Sequence, residues 1–140
     1  MKQIVIIDGQ GGKIGAQLID MLRGRVSGRA EILAIGTNSI ATSAMLRCSP
    51  DAAATGENPV IAACRHADVI AGPIGIVIAD ALFGEVTPGM AEAVGQSRAH
   101  RVLIPVNKCS TTIVGVGDTA LSELLREAAE TICRMIGGEE

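Results

Sequence analysis

The sequence predicts an α/β fold: a doubly wound, mainly parallel sheet of about five strands with helices on both faces. Three observations carry that prediction. Short β-branched runs alternate along the chain with segments of helical periodicity. Glycines 9, 11, 12 and 15 follow directly on the first run, as a tight strand-to-helix turn requires. The apolar fraction is 48% but the aromatic fraction is 1%, with Phe83 the sole aromatic residue, so the core must be built from Ile, Val, Leu, Ala and Met. That composition suits parallel strands buried beneath Ala-rich helices.

Residues 3–7 (QIVII) read as a buried strand. Ile14, Leu18, Met21, Leu22 and Val26 then recur at helical spacing. Residues 31–35 give a second strand, and the turn at 36–39 carries hydroxyl and amide caps for a helix over 40–48, broken by Ser49-Pro50-Asp51. Residues 55–58 form a polar loop in which Asn58 reads as the cap of a short helix to His66, with Pro59 at its first position. A third strand is expected at 68–71, ended by Gly72-Pro73-Ile74-Gly75. Over 76–83 the β-branched residues favour strand, whereas Ala-Asp-Ala-Leu and Gly84 favour helix; helix is the reading adopted. Thr87-Pro88 opens a helix to about Ser97, 101–106 form a fourth strand, and 112–116 a fifth at a sheet edge. The last helix, capped by Asp118, aligns Leu121, Leu124, Leu125, Ala128, Ile132 and Met135 on one face and ends at Gly137 and Gly138.

Length and charge narrow the function classes. A chain of 140 residues fits a single domain, 1–140, able to bury roughly 68–70% of its unfolded surface without a disulfide or metal. The net charge is −3 with no run of Lys or Arg, which argues against nucleic-acid and membrane-surface partners. The apolar run 4–7 is too short for a leader segment and 74–83, interrupted by Asp80, is too short to span a bilayer, so a cytoplasmic location is expected. Cysteines 48, 64, 109 and 133 are scattered, without paired or His-flanked spacing; reduced thiols and no metal are expected.

In doubly wound sheets ligands gather beyond the carboxyl ends of the strands, where strand order reverses. Four segments fall there: Asp8 with Gly9, Gly11, Gly12 and Gly15; Thr37, Asn38 and Ser39; Gly72, Pro73 and Gly75; and Asn107 with Lys108. Their convergence predicts an anion site. Glycines let backbone N–H groups approach an oxyanion, and the helix N-terminus adds its positive end. The spacing, G-x-G-x-x-x-G through Gly9, Gly11 and Gly15, approximates the Rossmann-type dinucleotide fingerprint G-x-G-x-x-G. Alanine at Gly12 is expected to perturb the turn less than a side chain at Gly11. A P-loop is disfavoured because Ile14 stands where a Ser or Thr would hold Mg²⁺.

At the end of the second strand Gly36-Thr37-Asn38-Ser39 replace the Asp or Glu that usually holds a ribose, which weakens a dehydrogenase reading. Lys108 is placed to neutralise a ligand phosphate, and Cys109 beside it would be a nucleophile if its pKa were depressed; a solvated turn is the simpler reading. Asp8 is the best-placed acid–base group, with capping of the glycine turn as its plain alternative. His66 and His100 lie in no catalytic motif.

The segments VIIDGQGGKIG, GTNSIATSAM, ATGEN, DVIAGPIGI, GEVTPGMAEA and IPVNKC together resemble a family of short bacterial proteins of about 140 residues, known as a domain of unknown function, over nearly the entire chain. The resemblance implies a stand-alone bacterial protein and supplies no activity or site residue. The expectation is therefore a Rossmann-like domain binding a phosphorylated small molecule, NAD(P) or a mononucleotide, with no catalytic set assigned. The alternative is a homo-oligomeric interaction protein without a ligand, motivated by the apolar stretch 74–83; a homo-oligomer is expected in either case.

Overall fold

The computed structural model describes residues 1–106 and 110–137. Five strands form one all-parallel sheet: β1 (Lys2–Asp8), β2 (Ala30–Gly36), β3 (Ala52–Thr55), β4 (Val69–Pro73) and β5 (His100–Ile104), in the order β3-β2-β1-β4-β5. Five α-helices connect or follow them: α1 (Lys13–Val26), α2 (Ser39–Leu46), α3 (Glu57–Cys64), α4 (Pro88–Gln96) and α5 (Leu121–Gly137). This is the Rossmann-like, doubly wound arrangement expected from the alternation of periods.

The pleat of β1 accounts for both cores. Ile4 and Ile6 point to one face, where α1, α2 and α5 contribute Leu18, Leu22, Met45, Leu125 and Ile132. Val5 and Ile7 point to the other, against Val60 and Cys64 of α3 and Met90 and Val94 of α4. A strand buried on both faces needs an unbroken apolar run, and that is why QIVII shows no alternation.

Four local expectations are corrected. The fifth strand is not residues 112–116 but β3, a four-residue edge strand whose register sets Thr55 beside Gly36. Residues 112–116 form no strand and hold a turn at 114–115; Val114 is 95% exposed and Gly115 and Gly117 take φ of 93° and 60°. Their β-branched character finds no apolar face to pack on, and propensity alone does not make a strand. Residues 76–83 are not an α-helix: a 3₁₀ turn over Ile74–Val77 gives way to a chain in which Asp80, Leu82, Phe83 and Gly84 all have positive φ. Ile76, Ala81 and Leu82 are nevertheless buried in the second core, so tertiary packing overrides local propensity.

Helix starts are the remaining differences. Gly56, at φ 105°, turns the chain off β3 so sharply that α3 begins at Glu57, and Pro59 occupies its third position rather than its first. Proline is tolerated there because first-turn N–H groups have no intrahelical acceptor. The α5 helix opens after Ala120, whose carbonyl accepts from the Glu123 and Leu124 N–H groups, so Asp118 lies in a turn and does not cap it. By contrast Asn38 and Thr87 cap α2 and α4, their side-chain oxygens accepting from the Ala41 and Met90 N–H groups. Gly138, expected in the stop of the last helix, lies outside the described residues.

Candidate functional site

Strand order reverses between β1 and β4, because β1 continues to β2 on one side while β4 leads to β5 on the other. A crevice must open at the carboxyl end of that pair. The cleft found there has about 650 Å³ of empty space, its solvent-open part included. Its floor is the turn Asp8–Ile14; Pro73, Ile74, Gly75 and Ile78 form one wall, and Leu82, Val106 and Thr111 complete it.

The glycine turn is fixed from beneath by Asp8. This carboxylate is 4% exposed and accepts from the Gly9 N–H (Oδ1, 2.8 Å) and the Gly15 N–H (Oδ2, 2.8 Å). Burial pushes its pKa above the ordinary 3.8; N–H groups of Gly15, Gly9 and Ile14 oppose that rise without cancelling it, and the Glu85 charge adds to it. Asp8 is thus a brace of the turn as well as part of the cleft lining. The Gly12 N–H returns to the Gly9 carbonyl at 2.9 Å, and the Gln10 N–H goes to Glu85 at 2.8 Å. Among the described residues, the N–H groups of Gly11 and Lys13 are left without a protein acceptor, and both residues line the cleft.

Each glycine has its own reason. A Cβ on Gly11 would meet nothing within 4 Å, whereas Gly12 has φ 72° and a Cβ there would sit 2.6 Å from the Ala41 carbonyl oxygen. The expected order of tolerance is therefore reversed: Gly12 is the structural glycine and Gly11 the open one. A Cβ on Gly15 would lie 2.5 Å from Met45 Sδ, so this glycine seats α1 closely against its neighbours and does not line the cleft. Gly72 is likewise a packing glycine, its hypothetical Cβ only 2.1 Å from the Ile7 carbonyl oxygen.

Thr37 and Asn38 do not line this cleft. Their polar groups converge on Glu85, a residue with no mark in the sequence. One oxygen, Oε1, accepts from Thr37 Oγ1 (2.7 Å), Asn38 Nδ2 (2.7 Å) and the Gln10 N–H. Burial raises the Glu85 pKa, but the three hydrogen bonds together outweigh it and hold the carboxyl below its ordinary 4.5. Only the capping role of Asn38 was readable in advance; the Glu85 contact spans 47 positions of sequence. Ser39 is the exposed first residue of α2. Asn107, Lys108 and Cys109 lie outside the described residues. Gln10, Lys13, Ile14 and Ile74 line the cleft from within the two segments expected there, whereas Ile78, Leu82, Val106 and Thr111 are lining residues that sequence patterns did not single out.

Elsewhere, burial pushes the Cys64 thiol up to about 11, the state of an inert core cysteine. Among the described residues no group of three or more His, Cys, Asp or Glu side chains is placed to hold a metal ion, and no helix is long and apolar enough to cross a membrane.

No curated protein matches the chain significantly. Among solved structures, the chain is similar to the dodecameric FMN-dependent UbiX-like decarboxylase of Escherichia coli O157:H7, at 15% identity and a TM-score of 0.45, over 100% of this chain and 96% of that one. The model of the family described as a domain of unknown function, DUF3842, matches residues 3–137, and the chain belongs to that family.

Proposed function

We propose that the protein binds a phosphate-bearing small molecule, a mononucleotide or a dinucleotide such as NAD(P), in the cleft above the glycine turn. The observation that carries this reading is the pair of unclaimed N–H groups, Gly11 and Lys13, at the N-terminus of the 14-residue helix α1. Every other N–H of the turn has a described acceptor, so two donors, the positive helix end and the Lys13 side chain are what remains for an anion. The apolar wall of Pro73, Ile74, Ile78 and Leu82 suits a base or other flat apolar moiety attached to that phosphate. No catalytic residue is assigned.

Calorimetric titration with AMP, NAD and inorganic pyrophosphate tests the reading. Binding that Gly11→Val abolishes without loss of fold is the expected result. Absence of heat for all three probes would contradict it.

A second reading has its own support. Ile40 is 71% exposed, Phe83 97% and Val114 95%, and all three stand on segments beyond the carboxyl ends of strands. Exposed large apolar residues at one end of a small domain favour a covering partner, here a second copy of the chain. Sedimentation velocity distinguishes a homo-oligomer from a monomer.

A further inference from the structure

The end of β2 lacks the acidic residue that in dinucleotide-binding folds accepts hydrogen bonds from a ribose. The chain nevertheless brings a carboxylate to that place from elsewhere. The segment after β4 crosses beyond the end of β1, where Leu82 closes on Gly9, and delivers Glu85 to Thr37 and Asn38 directly after β2. All three donors fall on Oε1. Oε2 has no described partner, and since no fully buried side-chain oxygen among the described residues lacks one, Oε2 of this half-buried residue keeps some accessible surface. The fixed oxygen orients the group and the second is left as a free acceptor.

Resting on the phosphate reading above, we infer that Glu85 Oε2 is the hydroxyl-recognising acceptor of the site, so that the ligand carries a sugar diol on the β2 side of its phosphate. Gln10 joins the two halves: its N–H holds Glu85 and its residue lines the cleft. Glu85 itself stands outside the lining of the cleft, so the hydroxyls of a ligand whose phosphate meets Gly11 and Lys13 must extend past Gln10 to reach the carboxylate. The hydrogen bonds that hold Glu85 ionised also make it repel a second phosphate at that position. The site therefore selects a free diol over a phosphorylated one, and a ribonucleotide over a bare phosphate.

The test is calorimetric titration of AMP, 2′,3′-dideoxyadenosine 5′-monophosphate and inorganic pyrophosphate into the wild type and Glu85→Gln. The dideoxy compound is expected to bind the wild type about tenfold more weakly than AMP, since it cannot donate to a charged acceptor. In Glu85→Gln that ratio is expected to fall towards one while pyrophosphate still binds, no more weakly than to the wild type, because a repelling charge has been removed. Equal affinity of AMP and its dideoxy analogue for the wild type overturns the assignment of Glu85 and leaves the phosphate site standing. Failure of all three probes to bind overturns both. Should Glu85→Gln not fold, the wild-type ratio decides alone.

Discussion

Gly11 and Gly12 are neighbours in the chain but answer to different constraints. Gly12 takes a left-handed backbone against Ala41, and Gly11 faces open space. Gly12→Ala should cost about 1–3 kcal/mol of stability, whereas Gly11→Ala should stay within about 0.5 kcal/mol of the wild type. Urea denaturation of the two variants checks the order. The two carboxylates give opposite pH signatures. Asp8 is raised by burial, so the folded protein holds its proton more tightly than the unfolded chain, and stability falls as pH rises from 3.8 through the raised value. Glu85 is lowered, so its contribution is present above 4.5 and is lost as pH falls through its folded value. Asp8→Asn should remove the decline and Glu85→Gln should flatten the low-pH loss, both read from denaturation midpoints between about pH 3 and 7. The glycines were legible because a turn after a strand needs them. Glu85 was not, because its partners lie at 10, 37 and 38, and no local pattern encodes a contact over 75 positions.

At the scale of elements, periodic segments were readable and short or irregular ones were not. α5 is the plainest case: Leu125, Ala128 and Ile132 recur at helical spacing and all are buried against the α1 side of the sheet. Ile132→Ala removes a fully buried side chain from that seam and should cost about 2–5 kcal/mol, measured by thermal or urea unfolding. β3 is the opposite case. Its sequence, Ala-Ala-Ala-Thr, has little strand propensity, and it exists because β2 offers it an edge. The segment after β4 misled for a third reason. Its apolar residues follow neither period, since Ile76, Ala81 and Leu82 are buried by a path that includes left-handed residues.

For the whole molecule, the strand order β3-β2-β1-β4-β5 locates the cleft, and the distribution of exposed apolar side chains around that end bears on assembly. A homo-oligomer is expected at high micromolar concentration, and Phe83→Asn should shift it towards monomer without lowering the melting temperature, because asparagine tolerates φ 57° better than phenylalanine does. Light scattering of both proteins checks this, and a monomeric wild type would remove the expectation. The central claim, an anion site at Gly11 and Lys13, is tested most directly by amide chemical-shift perturbation during titration with inorganic pyrophosphate. The account predicts saturable shifts centred on the Gly11 and Lys13 N–H resonances. Saturable shifts confined to another part of the protein, or none at millimolar pyrophosphate, would contradict it.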